Sequence, residues 1–258
     1  MIKAQAISAV RYVKALSTGE LIKNTFLIYK KHLFSMLIVS GLSTIVTVLA
    51  TMSGSYGSSL GYISLYLSSA AVLVCSRAIL EKPINLGELY GNIFQSNYLG
   101  PILVFSLFIT PLLIVVFLTE NLFVQHFFNA LSSFLMIFFS SIVLIEKRKF
   151  KAAMKRFFTL LFSNFWKTIT KFFASYIVYF VILFLIALIL ASISGNATSV
   201  NSTSETVAPL LIGTLCNPII YLSAVFLYYD ARVRKESFDE ELLAEELGYQ
   251  SGIEMIST

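Results

Sequence analysis

Metal-ligating and nucleophilic chemistry has little to work with in this sequence. There are two histidines, His32 and His126, and two cysteines, Cys75 and Cys216, in 258 residues. Two isolated cysteines inside apolar runs make neither a disulfide framework nor a metal spacing and read as small packing residues. His126 has only His32 to partner it, and the threading below puts the two at opposite membrane faces, so a histidine metal site within one chain is excluded. There is no glycine-rich phosphate loop, no Gly-x-Ser-x-Gly elbow and no sign of paired carboxylates in a cleft. The expectation is therefore a protein that is not an enzyme and carries no cofactor.

Charge is the second scarcity. Only 13% of residues are charged against 57% hydrophobic, with mean hydropathy +0.81. A soluble domain of this size needs far more polar surface to cover its core. Six continuous apolar runs stand out, at about 33–53, 60–76, 99–119, 122–145, 172–192 and 207–229. Roughly 17 to 25 such residues cross the hydrocarbon core as helix. A transmembrane β-barrel would alternate apolar and polar positions instead. The expected fold is all-α, a single polytopic membrane domain over residues 1–258 with six transmembrane helices and cytoplasmic amphipathic helices beside them.

The 19 basic residues sort by the same threading. Six precede the first run, two lie between runs two and three, eight between four and five, and three follow the sixth. The other three connections hold none. Basic loops stay cytoplasmic during insertion, which predicts both termini inside. No cleavable leader is apparent near the start, so the first run is expected to serve as an uncleaved insertion signal. Topology accounts for most of the excess positive charge (net +5). Attraction to anionic headgroups, on the order of 1 kcal/mol per basic residue near the surface, is the functional reading. Nucleic acid is not an expected partner, because no basic soluble domain is present.

Three cytoplasmic segments carry helical periodicity. In 150–165, Phe150, Ala153, Met154, Phe157, Phe158, Leu161, Phe162 and Phe165 form one apolar face, with Lys155, Arg156, Thr159 and Ser163 opposite. A second helix over 17–32 opens on Ser17-Thr18-Gly19-Glu20, a capping-box spacing, and runs through Leu21, Ile22, Phe26 and Tyr29. A third follows Pro83, from Leu86 through Leu89, Ile93 and Phe94. Gly19-Glu20-Leu21, Asn24 and Phe26 recur as Gly87-Glu88-Leu89, Asn92 and Phe94, each copy leading into a pair of apolar runs. This predicts three repeats, each an interfacial helix plus a transmembrane hairpin.

Several polar features have both a bland and a functional reading. Gln125 and Asn129 with His126, and Asn217 beside Pro218, are the candidate intramembrane polar groups. Pro111 and Pro218 predict kinks that serve either a plain bundle or a transport pathway. Asn196-Ala197-Thr198 and Asn201-Ser202-Thr203 match glycosylation acceptors but read as a polar linker. After the last run, a helical tail is expected over 230–248. There Asp230 meets Arg234, Arg232 meets Glu236 and Lys235 meets Asp239, four residues apart, followed by an apolar stripe of Phe238, Leu242, Leu243 and Leu247. Arg232, Arg234 and Lys235, with Lys155 and Arg156, are the candidates for holding a lipid headgroup or docking an interfacial helix.

The tail motif, with Gly19-Glu20, Tyr29-Lys30-Lys31, Val143-Leu144-Ile145-Glu146, Ala153-Met154-Lys155-Arg156 and Phe165-Trp166, resembles a group of bacterial six-span proteins. They are similar to the membrane domain fused to some glycerophosphoryl diester phosphodiesterases and to the related YciC-like inner-membrane proteins. Ser237 stands where that group usually has glycine and Phe157 where serine is common. The phosphodiesterase domain itself is missing, so the resemblance carries no enzymatic activity. It implies a protein of the bacterial plasma membrane concerned with lipids or envelope upkeep. Two functions follow: an accessory or scaffold that engages membrane lipid or a protein partner, or a small transporter or flippase-like carrier with its pathway near Pro111 and Pro218.

Overall fold

The computed structural model describes residues 12–52, 57–95, 98–194 and 202–236. Among them the apolar runs and their basic flanks fold into helices and no strands. In chain order these are α1 (Thr18–Lys31), α2 (Leu33–Met52), α3 (Gly57–Ile79), α4 (Leu86–Gln95), α5 (Leu99–Leu118), α6 (Leu122–Ile145), α7 (Phe150–Ser163), α8 (Phe165–Ser194) and α9 (Ser202–Glu236). Three short helices, α1, α4 and α7, each precede two long ones. The long helices of each couple pack on one another, α2 on α3, α5 on α6 and α8 on α9.

Four helical stretches are long and apolar enough to cross a membrane: Leu33–Ala50, Val124–Ile145, Phe165–Ile186 and Leu210–Glu236. Leu67–Ile79 and Gly100–Leu112 are shorter apolar stretches of the described chain. Only 17% of the Phe165–Ile186 stretch is buried within the protein. Ile177, Phe180, Val181, Phe184, Leu185, Leu188 and Ile189 face outward along α8. Apolar surface on that scale is costly in water, so a hydrocarbon surrounding is the consistent one. The fold is all-helical among the described residues, with four helices long and apolar enough to suit a multi-pass membrane protein.

Helix α9 is the central post. Residues 222–231, ten in a row, are buried, which an amphipathic surface helix never shows. It packs against α1, α2, α3, α6, α7 and α8. At 35 residues it runs about 50 Å, well beyond the hydrocarbon thickness of roughly 30 Å. Its final turns carry Asp230, Arg232, Arg234 and Glu236.

Close approach to α2 depends on small residues. A Cβ placed on Gly213 would lie 2.7 Å from Thr44 Cγ2, and one on Gly41 would lie 3.4 Å from Thr214 Cγ2. Without a hydrophobic drive between helices in lipid, such contacts supply the van der Waals packing. The helix continues through Pro218, which lacks an N–H. The carbonyls flanking the one it frees are held by neighbours, Gly213 by Ser40 Oγ at 3.1 Å and Leu215 by Tyr29 Oη at 2.8 Å. Elsewhere aromatic rings join the elements: Phe105 of α5 stacks on Phe139 of α6 at 3.9 Å, and Phe157 of α7 meets both edgewise.

The short helices differ from the expected faces in detail. α1 buries Leu21, Thr25 and Ile28, so its inner stripe runs through Thr25 rather than Phe26. In α7 the predicted apolar face divides. Ala153, Phe157, Leu160 and Leu161 pack inward, while Phe158 and Phe162 are exposed beside Trp166. Arg156, predicted on the outer face, turns inward to carboxylates. A helix lodged against the bundle with its outer side in an apolar layer has two greasy faces, so a single amphipathic stripe does not describe it. The helical tail expected over 230–248 is described as far as Glu236, as the end of α9. Residues 237–248, the Lys235–Asp239 pairing and both Asn-x-Thr sites lie outside the described residues or their side chains.

Candidate functional site at the charged end of the bundle

The ion pairs of the described residues converge on one end of the bundle. Lys31 at the close of α1 meets Glu81 after α3 at 2.6 Å, and Arg77 near the end of α3 meets Glu88 of α4 at 2.7 Å. Glu146 after α6 meets Arg148 at 2.5 Å and Arg156 of α7 at 3.1 Å. Lys171 of α8 meets Asp230 of α9 at 2.7 Å. Chain ends that are far apart in sequence thus share one charged layer.

Two buried carboxylates organise that layer. Asp230 is 1% exposed. It accepts from Lys171 Nζ at 2.7 Å, from Arg234 Nε at 3.1 Å to both oxygens, and from the Leu16 amide at 2.8 Å. The Leu16 carbonyl in turn accepts from Lys171 Nζ at 2.6 Å and Arg234 Nη2 at 3.0 Å. Both backbone groups of Leu16, one residue before the α1 cap, are held by α8 and α9. A buried carboxylate persists only with this kind of satisfaction.

Glu146 is the second centre. Arg148 and Arg156 surround it, Tyr228 Oη donates to it at 3.0 Å, and Arg232 Nε stands 3.8 Å away. Arg232 also reaches Glu236 at 3.3 Å and the Tyr228 hydroxyl at 3.3 Å, with its guanidinium over the Tyr228 ring. Arg156 closes the cluster onto Glu236.

These contacts place the candidates. Arg232, Arg234 and Arg156 are drawn inward to carboxylates and the Leu16 backbone. Lys235 and Lys155 are exposed. The i,i+4 pairs Asp230–Arg234 and Arg232–Glu236 form as spaced. Sequence reasoning missed Lys171, the principal partner of Asp230, and Glu146 as a hub. Glu146 directly after an apolar run was the available signal; for Lys171 nothing local marked it.

Between the α3–α4 and α6–α7 connections lies a pocket of about 800 Å³. Its rim carries Arg77, Lys82, Lys147, Arg148 and Arg232 against Glu88 and Glu146, over a floor of Leu73, Leu80, Leu144 and Ile145. Each connection contains a non-glycine residue at positive φ, Glu81 and Lys147, both at 53°. At Glu81 the turn is a Schellman cap: Lys82 N donates to Arg77 O at 2.8 Å and Glu81 N to Ala78 O at 3.2 Å. Glycine is the usual occupant of that left-handed position.

The intramembrane candidates are used separately. Gln125 donates to the Thr119 carbonyl at 2.7 Å, beside its own helix start. Asn129 is exposed, and Asn217 accepts from Tyr179 Oη at 3.4 Å. A distinct cavity of about 290 Å³ lies within the bundle, lined by Ser68, Ser69, Ser106, Ser132, Ser140 and Tyr221 among others. The Ser132 hydroxyl is buried there with no hydrogen-bond partner. Pro111, Pro218 and the three amide side chains are not among its walls.

At the α1 entrance the capping box forms as spaced. The Glu20 amide donates to Ser17 Oγ at 3.3 Å and the Ser17 amide to the Glu20 carboxylate at 2.9 Å. Lys14 at 2.7 Å and the Ser17 amide hold the Glu20 carboxyl down to about 2. His32, before α2, sits below its ordinary value because burial and then Lys31 disfavour its charged form.

Among the described residues no three His, Cys, Asp or Glu side chains form a metal-holding group. The chain matches no protein-family model, no curated protein and no solved structure.

Proposed function

We propose that this chain is a non-enzymatic integral protein of the bacterial plasma membrane, acting as an accessory or scaffold that engages anionic lipid at its basic end. In this reading it crosses the membrane six times with both termini cytoplasmic, and the charged end of the bundle faces the cytoplasm. The distribution of basic residues supports that orientation through the positive-inside rule. The resemblance to the glycerophosphoryl diester phosphodiesterase membrane domain and the YciC-like proteins belongs to the same proposal.

The architecture in this reading is three units of one interfacial helix and one hairpin. Three junctions favour it. The end of α3 joins α4 through Arg77–Glu88, the end of α6 joins α7 through Glu146–Arg156, and the end of α9 returns to the start of α1 through Asp230, Arg234 and Leu16. Ser17 and Asn85 cap α1 and α4 at matching places, each bonded to the amide of the glutamate three residues on.

The observation that carries lipid engagement is the outer side of α7. Lys151 and Lys155 are exposed on it together with Phe158 and Phe162, and Trp166 is exposed at the start of α8. Cations beside aromatic rings on a helix lying against a bundle suit the headgroup layer, with rings in the acyl boundary and ammonium groups at the phosphates. Lys151→Glu with Lys155→Glu should lose the preference for anionic over zwitterionic nanodiscs, read by native mass spectrometry of retained lipid. An undiminished preference in a folded variant would refute the role of this face.

A small carrier is the second reading, and the serine-lined cavity with the unpartnered Ser132 hydroxyl favours it. A membrane-impermeant thiol reagent should then reach Ser132→Cys in a background lacking Cys75 and Cys216. Silence at that position, with labelling at an exposed control, removes the reading.

A further inference from the structure

We propose that the serine-lined cavity inside the bundle is a binding site for a small uncharged polyol. The inference deepens the carrier reading, on which it rests, by naming the class of solute.

The first argument is the Ser132 hydroxyl. A helical serine or threonine in an apolar setting commonly donates to the carbonyl one turn back. Thr25, Thr44, Ser141 and Ser175 do so, to the carbonyls of Leu21, Ser40, Ile137 and Lys171. Ser132 shares its helix with Ser141 and is only 4% exposed, yet its hydroxyl has no partner. A buried hydroxyl left unmet is a standing cost to the fold. Ser132 stands on the wall of the cavity of about 290 Å³, so a ligand hydroxyl entering there removes that cost.

The second argument is the chemistry of the walls. Six serines from α3, α5 and α6 and Tyr221 of α9 line the cavity, with Val72, Ile109 and Ile137 among them. Some of these hydroxyls already hold one bond, as Ser68 does with Ser43 at 2.9 Å and Ser106 with the Leu103 carbonyl at 2.6 Å. A hydroxyl that donates still accepts. Among the described residues lining the cavity none is charged, so an entering ion gives up its hydration with nothing to replace it. An apolar solute leaves the hydroxyls unmet. Hydroxyl and aliphatic surface side by side match a short chain of CHOH groups. The volume is at the small end of ligand pockets and well above the room one water needs.

The third is placement. The lining residues fall in the middle of α3, α5 and α6, the depth at which carriers hold their solute. Ser133 is exposed, so the cavity has an open edge. Toward the charged end it is followed by the larger pocket along the same two helices. On α3, Ser69 and Val72 line the cavity and Leu73 and Ser76 the pocket; on α6, Ser140 lines the cavity and Leu144 the pocket. A buried hydrogen bond between Ser76 and Tyr229, at 2.9 Å, stands at that boundary. Two hollows in line, parted by one turn of side chains, suit stepwise passage.

The test uses the full chain in proteoliposomes, with the variants Ser132→Ala and Ser140→Leu. Entry of glycerol down an inward gradient is followed by stopped-flow light scattering, with protein-free liposomes and an inward potassium phosphate gradient as controls. Wild type should admit glycerol above the protein-free rate, with saturation, and exclude phosphate. Ser132→Ala keeps the shape and deletes the hydroxyl, so the KM for glycerol should rise about fivefold. The same variant loses an unmet polar group, so it should unfold in SDS no sooner than wild type. Ser140→Leu should fill the cavity and return entry to the protein-free rate; where it does not fold, Ser132→Ala decides alone. An unchanged KM in Ser132→Ala overturns the proposal, as does passage of water with glycerol excluded. If glycerol is excluded while a thiol reagent still reaches Ser132→Cys, the polyol is overturned and the carrier reading stands. If glycerol is excluded and that cysteine stays silent, both fall.

Discussion

Replacing Asp230 by asparagine should be among the most damaging single substitutions in the described chain. The change is nearly isosteric, so packing is preserved and the loss is electrostatic. Asp230 is 1% exposed and Lys171 8% exposed by side chain, so water compensates neither. Removing one partner of a buried pair costs about 3–5 kcal/mol because the other charge stays behind unpaired. Arg234, with a quarter of its side chain in solvent, adds little to that figure. Lys171→Met leaves Asp230 with Arg234 and the Leu16 amide, and Arg234 still donates to the Leu16 carbonyl. Its cost should be smaller, about 1–3 kcal/mol for the lost charged hydrogen bonds. The double variant removes both buried charges, so its destabilisation should fall short of the sum by about 2 kcal/mol. Reversible unfolding in bicelles by titrated SDS, followed by circular dichroism, measures all three. Limited trypsin digestion at Lys14 reports whether the segment before α1 has come loose. Asp230→Asn within about 0.5 kcal/mol of wild type, or strictly additive single effects, would refute the reasoning.

Three further outcomes follow from the packing and the caps. Gly213→Ala should destabilise by about 1–3 kcal/mol, because Thr44 is stiff at its Cβ and buried, and Thr44→Ala should restore most of the loss on the same assay. Phe157→Ala should cost about 3–5 kcal/mol, since its ring fills the space among Phe105, Phe138 and Phe139. For Glu20, a carboxyl lowered from 4.5 to about 2 contributes stability that is complete above pH 4.5 and lost as pH falls toward 2. Amide exchange in the first turn of α1 should therefore accelerate over that window, and Glu20→Gln should abolish the acceleration specific to this turn.

The long helices were legible because lipid imposes one rule on every position, and runs such as 122–145 obey it without reference to the rest of the chain. The entrance of α1 was legible for a similar reason: Ser17 and Glu20 complete their bonds within one turn. Local spacing likewise gave Asp230–Arg234 and Arg232–Glu236. What escaped was tertiary. Lys171 is 59 residues from Asp230, and nothing in its surroundings distinguishes it from Lys167, which is exposed. The two-faced burial of α7 escaped because periodicity records that residues are apolar, not whether protein or lipid covers them. Gln125, Asn129 and Asn217 were grouped by polarity, whereas Gln125 bonds beside its own helix start, Asn217 bonds to Tyr179 of α8 and Asn129 is exposed. The pocket cations were counted as a topology signal, and their convergence required knowing that the α3–α4 and α6–α7 turns are adjacent.

The grip on Leu16 also sets a schedule for biogenesis. Its amide waits for an oxygen 214 positions downstream, and its carbonyl for an ammonium 155 positions downstream. The segment around Leu16 is synthesised before either arrives, so it docks only once α8 and α9 are in place. Docking of that stretch is thus a completion check. A chain halted short of residue 230 leaves Leu16 without the carboxylate and guanidinium that hold its amide and carbonyl.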